Sequence, residues 1–180
     1  MRCVPGWASP APASLVSIQP MAGSGEIRLK DLERRAATKA DLAFLMELRR
    51  QTMTAHQVNA GIVPSHAERW ERVLVRYECA EILSHAGRPI GLLKVARDDR
   101  DWNLIQIQLL PEFQGGGLGR ALLEELIAEA RAAGASIQLS VLKGSAARRL
   151  YERLGFEVLS EEAHFTIMQV TPHAAATSRS

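Results

Sequence analysis

One stretch limits what this chain can fold into: Leu109-Leu110-Pro111-Glu112-Phe113-Gln114-Gly115-Gly116-Gly117-Leu118-Gly119-Arg120-Ala121-Leu122-Leu123. Before it, Trp102 to Leu110 is apolar and β-branched, with polar alternates at Asn103, Gln106 and Gln108, which is the pattern of a strand. Pro111 cannot donate to a sheet ladder, so the strand stops there. After it, Leu118, Leu122, Leu126 and Ala130 repeat at helical spacing, with Glu124, Glu125, Glu129 and Arg131 on the solvated side. A glycine-rich loop therefore joins a strand to a helix start. Gly115, Gly116 and Gly117 let a ligand approach the backbone closely. The helix start offers unpaired N–H groups and about half a positive charge, which together suit a phosphate.

Three phosphate loops are separable by sequence. A Walker loop needs Lys followed by Ser or Thr after its last glycine, and here Arg120-Ala121 follows. A dinucleotide fingerprint needs a third glycine where Leu122 stands, and an acidic residue about 20 residues on. The corresponding region, Ile137 to Val141, has no carboxylate. The third pattern, Gln/Arg-x-x-Gly-x-Gly/Ala, is met by Gln114 to Gly119. In this stretch the chain resembles the GNAT (Gcn5-related) N-acetyltransferases, whose acetyl-CoA pyrophosphate loop has this form.

A second motif lies downstream. Ile137, Leu139 and Val141 alternate with Gln138 and Ser140 as a strand, after which Ser145 opens a short helix that Gly155 ends. Ala147, Leu150, Tyr151, Gly155 and Phe156 fall in register with Asn-x-x-Ala-x-x-Leu-Tyr-x-x-x-Gly-Phe, a run that resembles the second GNAT motif. The Asn position holds Gly144, a departure that removes one side chain able to contact the pantetheine arm. The resemblance covers Leu32 to Val170, and is weaker before Ala80.

The fold class implied is α/β: a single GNAT-like domain with a mixed, mostly antiparallel sheet of about six to seven strands and helices on both faces. The strands at Leu104 and Leu139 are expected to run parallel and splay apart into a cofactor cleft. The domain spans residues 27–170, between an Ala/Pro/Ser/Gly-rich extension, Met1 to Glu26, and a polar tail, residues 171–180; both ends are expected to be disordered. Leu15-Val16-Ser17-Ile18 is too short for the apolar core of a secretory signal, and Met21 stands as an alternative start.

In order, the chain reads as a strand at Leu32 to Ala36 and a helix opened by Thr38 with Asp41 as capping-box acid. Leu42, Phe44, Leu45 and Leu48 form that helix's apolar side. Gln51 to Pro64 reads as irregular. A second helix, capped by Ser65 with Glu68, runs to about Glu78. Strands follow at Ala80 to Ser84 and Pro89 to Ala96 around a turn at Ala86 to Pro89. Asp98 to Asp101 is a polar turn into the central strand, and Gly134 closes the central helix. Phe156 to Leu159 and His164 to Val170 are the last two strands.

The 180 residues suffice for one domain with a real core, and 47% hydrophobic with 23% charged residues is ordinary for a globular protein. A net charge of +2 without a basic stripe argues against nucleic acid as partner. No apolar run approaches the roughly 18 residues of a membrane span. The two cysteines, Cys3 and Cys79, are not placed for a structural disulfide, so a reducing, cytoplasmic compartment is the expectation. No metal site is expected.

The resemblance implies an N-acetyltransferase that moves an acetyl group from acetyl-CoA directly to a primary amine of a small molecule, amino acid or peptide. The implied cofactor-binding residues are Leu109, Leu110, Gln114, Gly115, Gly116, Gly117, Leu118, Gly119, Arg120 and Ala147. Backbone near Leu109 and Leu110 would pair with the pantetheine arm as an added strand does, and place an N–H near the thioester oxygen. Tyr151 is the catalytic candidate: a phenol stays protonated at neutral pH and can donate to the departing sulfur. The acceptor pocket would draw on Met53, His56 and Trp70. No general base stands out among Asp101, Glu112, Glu162, His56 and His164, and Gln106 and Gln108 occupy strand positions where some relatives carry a Glu. The alternative is a catalytically weak acyl-CoA-binding or regulatory module of the same fold. Many such domains form homodimers.

Overall fold

A computed structural model of the chain describes residues 27–59 and 65–172, the side chains of 53–59 excepted. The N-terminal extension, the segment 60–64 and the tail from 173 onward lie outside the described residues.

Seven strands form one sheet: β1 (Leu32–Ala36), β2 (Ala80–His85), β3 (Arg88–Asp98), β4 (Asp101–Leu109), β5 (Ser136–Leu142), β6 (Glu157–Glu161) and β7 (Phe165–Val170). Their order is β1-β2-β3-β4-β5-β7-β6. Every neighbouring pair is antiparallel except β4 and β5. Four helices accompany them: α1 (Leu42–Asn59), α2 (His66–Leu74), α3 (Leu118–Ala132) and α4 (Ala147–Arg153).

Side chains alternate across the sheet, and each face has its own core. Leu83, Leu93, Leu104, Leu139 and Met168 pack with α3 and α4 residues Leu122, Leu126 and Tyr151. Ile82 and Leu92, one residue out of phase, pack with Leu45 and Leu48 of α1 and Val73 of α2. Helices thus cover both faces, as expected from the sequence.

Local chemistry sets the connections. Ala86 and Gly87, at φ 50° and 76°, make a two-residue β2–β3 turn, the left-handed pair that matches strand twist. Pro89 therefore lies inside β3, opposite Ser84, with a register shift beside it between Leu83 and Ser84. Gly134, at φ 66°, closes α3: its N–H reaches the Arg131 carbonyl at 3.1 Å, and the Ala135 N–H reaches the Ala130 carbonyl at 2.8 Å. That is a Schellman closure.

Two expectations need correction. Gln51 to Pro64 is not irregular throughout, because α1 continues to Asn59. The second helix does not reach Glu78. It ends at Leu74, and a short 3-10 turn at Tyr77–Cys79 follows Arg76, whose backbone is left-handed at φ 49°. The end is set by a distant residue. Lys94 of β3 donates from its buried Nζ to the carbonyls of Val73 and Val75, at 3.0 and 2.9 Å, satisfying the helix's last acceptors from outside.

Candidate functional site

The site starts where β4 and β5 part. Their parallel ladder has only four pairs, from Asp101 with Ser136 to Leu104 with Leu139. On the other side of β4, Lys94 pairs with Gln106 and Val95 with Leu104, so Ile105 is an extra, bulged residue. A bulge bends its strand. Past it, β4 runs on to Leu109 along β3 with no partner on its other side, while β5 continues along β7. The sheet is split at this point.

Register decides which backbone groups face the split. The Leu110 N–H donates to the Ile90 carbonyl at 2.8 Å, and the Leu110 carbonyl accepts from Phe113 N–H at 2.9 Å. Leu110 is thereby spent inside the fold, which corrects its expected backbone role toward a pantetheine arm. Alternation turns Gln108 toward β3 with Leu110, and turns Ile107 and Leu109 toward the opening. Ile107 escaped the sequence reading, because parity along a strand is fixed by pairing with a distant partner. Gly91 is what lets the strands approach here: a Cβ on it would stand 2.5 Å from the Gln108 carbonyl oxygen.

Beyond β4, Pro111–Phe113 forms a 3-10 turn, and the chain crosses Gly115 and Gly117, at φ 84° and 81°, into α3. Gln114 is buried, and its amide Nε2 donates to the Leu109 carbonyl at 2.7 Å. It braces the loop against the strand end, leaving the Leu109 N–H as that residue's outward group. Space around the missing side chains of Gly116 and Gly117 is open. Gly117 is the N-cap of α3 and brings no side-chain acceptor. The first intrahelical bond runs from Ala121 N–H to the Gly117 carbonyl at 3.0 Å. The N–H groups of Leu118, Gly119 and Arg120 therefore point out of the helix with no backbone partner among the described residues, a geometry that suits an anion. Leu118 is buried and anchors this end, whereas the Arg120 side chain is exposed and held by Glu124 at 2.8 Å.

Across the split, Gly144 turns the chain out of β5 at φ 79°. Asn tolerates this left-handed geometry better than other non-glycine residues, and open space lies around the Gly144 Cα. The Ser145 hydroxyl accepts from the Ala147 N–H at 3.3 Å, although Ala146 is the formal N-cap of α4. Ala147 is buried at the helix start. One turn on, Tyr151 is 0% exposed and meets the Phe156 ring edge-on at 5.5 Å. Its hydroxyl has no hydrogen-bond partner among the described residues. Burial pushes its pKa well above the usual phenol value, so the proton is held firmly.

The remaining candidates scatter. Met53 and His56 fall on the α1 backbone, and their side chains lie outside the described residues. Trp70 of α2 is 37% exposed, so neither face of the sheet uses it as core. Asp101 opens β4, eight residues from Leu109, or about 26 Å along an extended strand; it accepts from the Ser136 hydroxyl at 3.1 Å. Glu112 pairs with Arg88 at 2.9 Å. Glu162 and His164 are exposed near the β6–β7 turn.

Sequence reasoning passed over one group. Arg49, on the inward stripe of α1, is only 4% exposed, and Lys94 of β3 is 0% exposed. Both lie on the α1/α2 side of the sheet, with Gln106 and Gln108. The available signal was position: Arg49 follows Leu45 by four residues, and Lys94 interrupts the apolar run from Ile90 to Ala96.

An open α/β sheet split between two parallel strands, with an uncapped glycine-loop helix beside the split, defines a class of protein whose geometry suits an extended, phosphate-bearing ligand. The comparisons with known proteins narrow that class. Residues 69–158 match the family model described as an acetyltransferase (GNAT) domain. The chain belongs to the GNAT acetyltransferase family. Curated proteins of Mycobacterium tuberculosis and Mycobacterium bovis, both named as uncharacterized N-acetyltransferases, are 38% identical over 77 residues, 41% of this chain and 49% of theirs. The chain thus spans about half the length of the curated relatives it matches. Among solved structures, the PaiA N-acetyltransferase of Thermoplasma acidophilum, in complex with coenzyme A, aligns with TM-score 0.63 and 20% identity over 78% of this chain and 98% of that one. The ribosomal-protein-S18-alanine N-acetyltransferase of Escherichia coli aligns with TM-score 0.55 and 20% identity over 83% and 99%. At these identities the likeness is one of fold.

Proposed function

We propose that this chain is an N-acetyltransferase that moves an acetyl group from acetyl-CoA to a primary amine of a small molecule, amino acid or peptide. One observation carries the reading: the β4/β5 ladder ends at Leu104 and Leu139 beside an α3 N-terminus that no side chain caps. The residues present fit the donor. Backbone N–H groups of Leu118, Gly119 and Arg120 suit a pyrophosphate, and Gly116 and Gly117 leave room for it. The outward backbone of Ile107 and Leu109 suits an extended arm bearing amides, which joins the sheet edge as an added strand would.

Acetyl-CoA supplies an activated acyl group whose sulfur must leave with a proton. Tyr151 is the residue to give it, because its hydroxyl is buried, unpartnered and firmly protonated. The Leu109 N–H is the donor for the thioester oxygen; a donor of this kind lowers a barrier by about 3 kcal/mol. Among the described residues the carboxylates considered as bases are distant, paired or exposed, which supports an amine that arrives already neutral or loses its proton to solvent.

The test is thermal unfolding with and without acetyl-CoA, in wild type and in Gly117→Glu. Ligand at ~100 times its Kd stabilises by ~2.7 kcal/mol, a shift of several degrees. The expected result is a wild-type shift that the variant loses, followed by coenzyme A release when amines are added. No shift for a folded wild type at millimolar acetyl-CoA sinks the reading. A shift without release, across a broad amine panel, favours the binding module over the enzyme.

A further inference from the structure

On the face of the sheet away from α3, Arg49 is a buried cation on which no acid among the described residues bears. Arg49 projects from the inward stripe of α1, the stripe that begins with Leu45 and Leu48 and ends at Thr52. Its Nε is buried and has no hydrogen-bond partner among the described residues. The charged groups that bear on it are Arg72 and Arg69 of α2, and Arg49 in turn bears on Lys94 of β3. Burial, then these like charges, pushes the Arg49 guanidinium down to about 10; burial, then Arg49, pushes Lys94 down to about 8, against smaller opposing effects of Cys79 and Glu78.

The acids close in sequence are engaged elsewhere. Glu47 is held by Arg50 and Gln51. Glu68 accepts from the Ser65 N–H in the α2 capping box at 2.6 Å. Glu68 and Glu71 act on Arg72, not on Arg49. Lys94 spends its donors on the Val73 and Val75 carbonyls, so Arg49 is the cation with donors to spare.

A second buried donor points the same way. On β4, Gln106 Nε2 donates to Gln108 Oε1 at 2.6 Å, which leaves Gln108 Nε2 buried and without a partner among the described residues, although Gln108 is only 1% exposed. Gln108 pairs with Leu92, a core residue of the α1/α2 face, and it adjoins Leu109 at the split. On β5, the Ser140 hydroxyl is likewise buried and unpartnered, one residue past the last β4/β5 pair. It alternates with Leu139 and Val141, which belong to the α3 face, so it too lies on the α1/α2 side. Buried donors without acceptors are costly and rare in a finished fold.

We infer that this cluster is an acceptor subsite for a carboxylate: Arg49 and Gln108 hold an anionic group of the incoming amine, which sets the substrate class as amino acids and other amines that also carry a carboxylate. The inference rests on the acetyltransferase reading for the amine, but not for the anion. A carboxylate fits better than a neutral group, because it satisfies both donors and offsets the repulsion that Arg72 and Arg69 exert on Arg49.

The experiment separates the two readings. Glutarate, a dicarboxylate without an amine, is titrated calorimetrically at fixed ionic strength into wild type, Arg49→Met and, as a surface control, Arg88→Gln. Methionine keeps the volume of the buried stem and removes the charge. The expected result is binding by wild type and the control, weakened tenfold or more in Arg49→Met, whose melting temperature stays at or above wild type. Matched acceptors are then compared in the acetyl-CoA assay: amino acids against their carboxamides. Acids should lead by at least tenfold in kcat/KM, and Arg49→Met should erase the lead while leaving acetyl-CoA affinity unchanged. Absence of glutarate binding at millimolar concentration overturns the subsite, as does equal binding by wild type and Arg49→Met. Equal rates for acids and carboxamides overturn the substrate class. Failure of the acetyltransferase reading shows separately, as the loss of any acetyl-CoA effect on unfolding.

Discussion

Tyr151 concentrates the chemistry in one atom. A buried hydroxyl without a partner costs about 1–3 kcal/mol of desolvation, and no described residue returns it. Tyr151→Phe should therefore leave the melting temperature unchanged or raise it, keep acetyl-CoA binding, and lower kcat by ten- to a thousandfold. A fall in stability with kcat intact would make Tyr151 a packing residue. Gly91 is the opposite case. A methyl group there would lie 2.5 Å from the Gln108 carbonyl oxygen, which is backbone and cannot swing aside. Gly91→Ala should cost about 1–3 kcal/mol in denaturant unfolding, in the range of overpacked sites, and should weaken acetyl-CoA binding by shifting Ile107 and Leu109. An unperturbed midpoint would show that β3 and β4 have slack here. Tyr151 was legible in the sequence because its motif is local, set by Ala147, Leu150, Gly155 and Phe156 within one helix. Gly91 was not: the contact that makes it necessary lies on another strand.

At the scale of elements, what could be read was what short-range chemistry fixes. The glycine loop, the Ser65–Glu68 capping box and the Gly134 closure appear where the sequence put them. The second half of α1 did not, because Thr52, His56 and Asn59 break the apolar repeat before the helix ends. The end of α2 did not either, since Lys94 sets it from β3. That buried ammonium gives a pH dependence. Its pKa is 10.5 unfolded and about 8 folded, so the unfolded chain holds the proton more tightly between those values. The folded state then carries the full penalty below about pH 8 and loses it as pH rises toward 10.5. Two and a half pKa units bound the gain at about 3 kcal/mol. Unfolding free energies of wild type and Lys94→Met should be compared across pH 7 to 10.5. The wild type should gain relative to the variant over that window; parallel curves would mean that Lys94 titrates normally and that the Val73 and Val75 carbonyls fully compensate its burial.

The whole molecule is two strand systems, β1–β4 and β5–β7, joined by four residue pairs and bridged by α3 on one face. The split was legible only through family resemblance; composition and periodicity locate β4 and β5 but not where their ladder stops, because the Ile105 bulge depends on pairing with Lys94 and Val95. A ligand laid along β4 adds a strand to one half while its pyrophosphate rests on α3, so it ties the halves together. The backbone parity makes the consequence specific. Amide hydrogens of Ile107 and Leu109 face the opening, and those of Gln108 and Leu110 face β3. Hydrogen exchange read residue by residue with saturating acetyl-CoA should slow at Ile107 and Leu109, and at Leu118 to Arg120, by tenfold or more beyond any global change. Gln108 and Leu110 should follow the global change alone, since their partners are already in place. Uniform slowing along β4 would mean that the ligand acts only by mass action on global unfolding. Slowing confined to α3 would place the pyrophosphate on the loop and the arm elsewhere, and the opening between β4 and β5 would then be a feature of the fold without a part in binding.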